Sequence, residues 1–259
     1  MEWNASPILF SLGPIHLRWY GLLFATGFAL AYWTLLSIFK KEKVPQKVLD
    51  ELLFYVIVGT VVGARMGHCL FYEPARYLEN PIEILFVWEG GLASHGGAIG
   101  IFSSVLLFSR KNGMPSFSWL VDRVCLTVPL AAGCVRLGNF FNSEIVGRAT
   151  DLPWAIIFKR LDSIPRHPAM LYEAICYFIF FGFVRWLYSR TGAKTPGYLI
   201  TGWVLVLIFS ARFFIEFIKE NQVDFEAGMA LNMGQILSIP TVAIGLYAIW
   251  KAKHSRVKN

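Results

Sequence analysis

The chain has 259 residues, 56% of them apolar, with a mean hydropathy of +0.52 and only 16% charged, against about 25% in soluble domains. That excludes an ordinary soluble core and predicts one integral membrane domain over residues 1–259. The net charge of +7 lies in short clusters between apolar runs, with no basic face interleaved with aromatics, which excludes nucleic acid as a partner and fits the loops of a membrane protein.

A membrane span takes about 20 mostly apolar residues. In chain order the expected spans are 19–39, 52–71, 92–108, 119–135, 171–187, 198–218 and 236–250. The first fifteen residues lack a charged segment followed by an apolar one, so the first span is expected to be its own insertion signal. Seven spans put the two ends on opposite sides. The loops 40–47, 110–111 and 185–194 and the tail 251–259 hold thirteen Lys and Arg, which sets the N-terminus in the periplasm and the C-terminus in the cytoplasm. The longest connection, about 137–170, then lies outside. In it Asp151-Leu-Pro-Trp-Ala-Ile-Ile-Phe alternates weakly and reads as a short strand or hairpin. The expected fold class is all-α and polytopic: seven transmembrane helices with a small extracytoplasmic cap between the fourth and fifth. No internal repeat is visible. The four cysteines stand in apolar stretches without a C-x-x-C pair, so neither a disulfide framework nor a zinc site is indicated.

The polar residues inside these runs carry the chemistry. Arg136, Asn139 and Asn142 are three apart and share one helix face. A charge at bilayer depth costs roughly 2.5–3.5 kcal/mol on insertion scales, so chains keep one there to line an aqueous cleft or to hold an anion. In a membrane the obvious anion is a phospholipid headgroup. Arg212 and Glu216, four apart, can pair; Arg65 and Glu216 fit an interhelical ion pair as well as a ligand contact. Intramembrane arginines outnumber the carboxylates beside them, and a free guanidinium grips phosphate with a bidentate fork. Glu89-Gly-Gly-Leu-Ala-Ser-His-Gly-Gly suits a broken helix start lining a cavity. Its His95 is either a packed imidazole or a base that titrates near neutral pH and takes a proton from a thiol. Tyr20 belongs to an interfacial aromatic belt by its position. Pro168 suits a first helical turn, which makes Arg166 to Glu173 a helix entry. Asp122-Arg123 reads as a local pair near the cytoplasmic side. Three classes remain open on these residues: an enzyme acting on an anionic lipid, a transporter or flippase, and an assembly protein with polar interhelical contacts. The odd span count and the missing repeat count against the transporter.

Six motifs then come in order: His16-Leu-Arg-Trp-Tyr-Gly, Gly63-Ala-Arg-Met-Gly, Val87-Trp-Glu-Gly-Gly-Leu-Ala-Ser-His-Gly-Gly, Arg136-Leu-Gly-Asn-Phe-Phe-Asn-Ser-Glu-Ile-Val-Gly-Arg, Arg166-His-Pro-Ala-Met-Leu-Tyr-Glu and Met233-Gly-Gln-Ile-Leu-Ser-Ile-Pro. Together, over about residues 8–240, they closely resemble the bacterial phosphatidylglycerol–prolipoprotein diacylglyceryl transferases. The resemblance implies a seven-span enzyme of the bacterial cytoplasmic (inner) membrane. It would move the diacylglyceryl group of phosphatidylglycerol to the lipobox cysteine of a preprolipoprotein, forming a thioether and releasing glycerol phosphate. That is the first step of lipoprotein maturation, and no metal or soluble cofactor is implied. By position the resemblance makes Arg136 and Arg212 the holders of the lipid headgroup and His95 the general base. It marks Tyr20, Asn139, Glu144, Gly147 and Glu216 as important positions. Arg65, Asn142 and Arg148 join them as substrate-binding candidates. Some relatives carry a tyrosine four residues before the position of Arg212; Ile208 stands there, so no tyrosine role carries over.

Overall fold

The computed structural model describes residues 1–13, 15–87, 90–220 and 228–255. Glu89 of the glycine motif and residues 256–259 of the basic tail lie outside them. The helices are α1 (Trp19–Lys41), α2 (Gln46–Phe71), α3 (Pro74–Glu79), α4 (Ser94–Ser109), α5 (Phe117–Asn142), α6 (Ala169–Thr191), α7 (Leu199–Ile215) and α8 (Met233–Ser255). All seven expected spans fall on helices, and α3 is an added short one. Among the described residues, α1, α5, α6, α7 and α8 are long and apolar enough to cross a bilayer. Helix α4 has 16 residues, about 24 Å at 1.5 Å per residue, against a hydrocarbon layer of about 30 Å. Helix α2 has 26 residues but carries Lys47, Asp50, Glu51 and Arg65. The chain is thus a helical, polytopic membrane protein.

It divides into two compact units, residues 35–121 and residues 1–34 with 122–259. The sequence reads as one domain because the breaks fall inside α1 and α5, where neither linker nor composition change marks them.

In the unit 35–121, α2 packs on α4 through glycines. Gly59, Gly63 and Gly67 share one face of α2; Gly96 and Gly100 share one face of α4. A Cβ on Gly67 would stand 2.8 Å from the Gly96 Cα, and Cβ atoms on Gly63 or Gly100 would collide with the opposing backbone. In lipid no hydrophobic force drives helices together, so this close backbone approach is what joins them. Gly63→Leu is therefore expected to part α2 from α4. Overpacking costs about 1–3 kcal/mol, and backbone against backbone puts this site at the upper end, roughly a hundredfold in the folding equilibrium. Size-exclusion profiles of the detergent-solubilised protein after heating measure it. Gly97→Ala is the control, because a Cβ there meets Ala64 only at an ordinary 3.6 Å.

In the unit 1–34 with 122–259, strand β1 (Glu2–Trp3) runs parallel to β4 (Ile156–Phe158), and β4 runs antiparallel to β5 (Pro165–Arg166). The expected strand near 151–158 is therefore real, but its sheet is completed by the N-terminus. Strands of two residues carry no readable alternation, so β1 was not legible. A separate hairpin pairs β2 (Ile8–Leu12) with β3 (Ile15–Arg18) just ahead of α1. Val146, Ile156, Phe158 and Met170 form the core under the β1–β4–β5 sheet, with Trp3 and Phe140 packed on it; the Trp3 and Phe140 ring centroids are 4.1 Å apart. That core fixes the end of α5 against the start of α6. Helices α7 and α8 approach through Gly202 and Gly245, each of whose Cβ atoms would meet the other's carbonyl oxygen within 3 Å. The α8 start is closed by a reciprocal cap. The Asn232 side-chain oxygen accepts from Gln235 N–H at 2.9 Å, and the Gln235 side-chain oxygen accepts from Asn232 N–H at 3.1 Å. This is a capping box with Asn in the leading place.

Candidate active site

Four helix ends meet in the larger unit: the last turns of α5 and α7 and the first turns of α6 and α8. Arg136, on α5, donates from a terminal nitrogen to Asn139 Oδ1 at 3.0 Å. Asn139 Nδ2 donates to Glu144 at 3.0 Å, and Asn142 Nδ2 donates to the other Glu144 oxygen at 3.0 Å. The expected shared face of Arg136, Asn139 and Asn142 is thus realised, with Glu144 as its common acceptor. The turn that brings Glu144 back is unusual. Ser143 and Ile145 on either side of it have φ of +58° and +57°, a region costly to a β-branched residue. Such strain, about 1–3 kcal/mol per residue, is held by Ser143 N–H on the Phe140 carbonyl and Glu144 N–H on the Asn139 carbonyl.

Arg136 reaches across to α6, where its Nε stands 2.7 Å from Glu173 Oε2 as an ion pair without hydrogen-bond alignment. Glu173 is fully buried, and its second oxygen accepts from Lys219 Nζ at 2.9 Å. Lys219 also donates to Glu216 Oε1 at 3.2 Å. Glu216 lies 3.5 Å from Arg212 Nε and accepts from the Asn232 amide at 3.2 Å through its other oxygen. Arg136 and Arg212 therefore belong to one connected network. Neither guanidinium is without a carboxylate, which corrects the expectation of unpaired arginines: Glu173 and Glu216 answer them. The pairing is unequal, however. Arg212 Nε is buried and has no hydrogen-bond partner, because its carboxylate sits nearer Lys219.

Tyr20, at the start of α1, lies against Gly138, whose Cβ would come 2.9 Å from its ring. Gly147 runs beside Lys219 as an antiparallel bridge, and its N–H donates to the His167 carbonyl at 2.9 Å. A Cβ there would stand 2.5 Å from His167 Cβ and 2.7 Å from the Ile218 oxygen, so only glycine lets the three strands of chain close up. Arg148 is exposed and donates from Nε to the Lys219 carbonyl at 3.0 Å. Arg166 ties the same corner down. It pairs with Asp162 at 2.6 Å and with Glu220, and it holds the Asp162 carboxyl below the usual carboxylate range.

His95 and Arg65 stand on the smaller unit. His95 is the second residue of α4 and is exposed. Arg65 is held by backbone carbonyls. Its Nε donates to the Ile84 carbonyl at 3.0 Å, one terminal nitrogen to the Gly90 and Gly91 carbonyls at 2.7 and 3.3 Å, and the other to the Glu83 carbonyl. The guanidinium also lies over the Tyr77 ring, 5.0 Å from its centroid. Arg65 thus anchors the turn before α4, where Gly90 and Gly91 take φ of +94° and +67°. Lys219 and Glu173 were missed as site residues. Lys219 looks in sequence like one more loop lysine, and Glu173 like part of a helix entry. The signal that was available is the Asn-x-x-Gln capping box at 232–235, which fixes where α8 meets Glu216.

A network of fixed charges at the meeting ends of apolar helices sets a charged site in a polytopic membrane protein. Comparison narrows the class. The family model for prolipoprotein diacylglyceryl transferase matches residues 7–251. A protein of Tolumonas auensis named phosphatidylglycerol–prolipoprotein diacylglyceryl transferase is 50% identical, covering 94% of this chain and 94% of its own. Proteins of the same name from Chloroherpeton thalassium and Bacteroides fragilis are 48% and 46% identical, covering 96% and 95% of this chain and 93% of each of theirs. The chain belongs to the prolipoprotein diacylglyceryl transferase family and is a transferase.

Proposed function

We propose that this chain transfers the diacylglyceryl group of phosphatidylglycerol to the thiol of a lipobox cysteine, the first step of bacterial lipoprotein maturation. It does so from the bacterial cytoplasmic membrane with seven spans. The N-terminus and the β1–β4–β5 cap are periplasmic, and the C-terminus is cytoplasmic. The apolar exposed faces of α2 and α4, including Phe54, Val58, Ile99 and Phe102, support counting both among the spans.

In the reaction the thiol loses its proton to His95, and the sulfur attacks the glyceryl carbon bonded to the phosphate oxygen. That C–O bond breaks, its electron pair stays with the phosphate, and glycerol phosphate departs. Negative charge grows on the leaving phosphate, where Arg136 and Arg212 stabilise it as an oxyanion hole does. Asn139, Asn142 and Glu144 orient Arg136, Glu216 orients Arg212, and Tyr20, Gly147 and Arg148 border the lipid headgroup. Arg65 acts at one remove by shaping the turn before His95. The observation that carries this reading is that both arginines share one network in which the buried Arg212 Nε has no hydrogen-bond partner.

Incubating the purified protein with phosphatidylglycerol and a one-cysteine lipobox peptide tests it. The peptide should gain a diacylglyceryl group that resists hydroxylamine, with one glycerol phosphate released per adduct. Translocation of intact lipid without an adduct would replace the reading with a flippase. His95→Gln should lose about 10²–10⁴ in rate near neutral pH, the range for a positioned proton acceptor. The deficit should narrow above the thiol pKa of about 8.5, where thiolate forms unaided. Unimpaired turnover of that variant at pH 7 would remove His95 from the base role and leave the arginines in place.

A further inference from the structure

Lys219 is 3% exposed and sits between the two carboxylates that answer the two arginines. Arg136 with Glu173 and Arg212 with Glu216 would by themselves form two neutral pairs. Two neutral pairs offer a lipid phosphate little, since each guanidinium already has its counter-ion. Lys219 changes the balance. Its ammonium takes Glu173 Oε1 at 2.9 Å while Arg136 keeps Oε2, and it stands 3.2 Å from Glu216 Oε1 against 3.5 Å for Arg212 Nε. The five groups in direct contact carry three positive and two negative charges, a surplus of one. A phosphodiester carries one negative charge. At the rim, the exposed Glu144 and Arg148 contribute one charge of each sign, and the outer corner of Arg166, Asp162 and the exposed Glu220 carries a net negative charge that touches none of the five groups. The lysine is itself fixed by its backbone, whose carbonyl accepts from Arg148 and whose strand bridges to Gly147.

We propose that Lys219 is a positioning residue that draws Glu173 and Glu216 toward itself and so leaves Arg136 and Arg212 the net positive charge that binds a lipid phosphodiester. This rests on the transfer reading above for the identity of the lipid, and its test is built to fail separately. Lys219→Arg, Lys219→Met and the pair Lys219→Met with Glu173→Gln are compared. The pair restores the surplus of one charge without the lysine. Two readouts are taken on folded protein: phosphatidylglycerol retained in native mass spectrometry, with uncharged diacylglycerol as control, and KM and kcat for peptide modification.

Lys219→Met should raise KM for phosphatidylglycerol and weaken its retention tenfold or more, with diacylglycerol unaffected. Lys219→Arg should stay within a few-fold of wild type. The pair should retain phosphatidylglycerol about tenfold better than Lys219→Met alone. Should Lys219→Met not fold, the pair is measured against wild type, and retention within tenfold supports the proposal. A folded Lys219→Met that binds as wild type does overturns it, as does a pair no better than the single variant. A wild type that retains phosphatidylglycerol in a Lys219-dependent way yet makes no adduct keeps the proposal and removes the transfer reading.

Discussion

Arg212→Ala is expected to lose two to three orders of magnitude in transfer rate while the protein stays folded. Removing one preorganised donor to a developing oxyanion costs about 2.7–4 kcal/mol, and each 1.36 kcal/mol is tenfold. The fold tolerates the change because Glu216 keeps Lys219 and Asn232 as partners when Arg212 is gone. The Arg212 side chain is also a third exposed, so its removal opens no sealed cavity. Arg212→Lys should be nearly as poor, since an ammonium cannot make the two parallel bonds of a guanidinium fork. Initial rates of adduct formation at equal folded protein decide it. A lysine variant at wild-type rate would reduce the role to simple charge.

Glu173→Ala should have the opposite signature: a large loss of stability. Glu173 is fully buried and is the carboxylate shared by Arg136 from α5 and Lys219 from beyond α7. Taking it away leaves Arg136 without its carboxylate and Lys219 with Glu216 alone, a buried cluster short of one negative charge. Breaking a buried pair in this way costs about 3–5 kcal/mol, a large part of the 5–15 kcal/mol that holds a typical protein together. The variant should therefore unfold at markedly lower temperature in detergent and reach the membrane in lower amount. Glu173→Gln should fall between, because an amide oxygen still accepts from Lys219. If Glu173→Ala melts with wild type, the ion pairs do not join these helices.

Much of this was legible in the sequence because lipid imposes coarse rules. Long apolar runs can satisfy their backbone in hydrocarbon only as helices or closed barrels, so all seven segments lie on helices, five of them long and apolar enough to cross a bilayer among the described residues. Arg136, Asn139 and Asn142 could be grouped by helical spacing alone, Arg212 and His95 stood out as polar residues in apolar runs, and the family resemblance added Glu144. The parts that were not legible depend on partners distant in sequence. Glu173 and Lys219 are 46 residues apart, and no periodicity relates them. Arg65 carried the right signal, a charge inside an apolar run, but its guanidinium is taken up by four backbone carbonyls of a turn that sequence does not draw. The count of arginines against carboxylates misled for the same reason: it took Glu173 as part of a helix entry, whereas α6 brings it inward to Arg136.

The most direct measurement is an experimental structure with phosphatidylglycerol bound. The account predicts the lipid phosphate within hydrogen-bond distance of both Arg136 and Arg212, with Glu173 and Glu216 still against Lys219. A phosphate held elsewhere, with the two arginines paired only to Glu173 and Glu216, would contradict it.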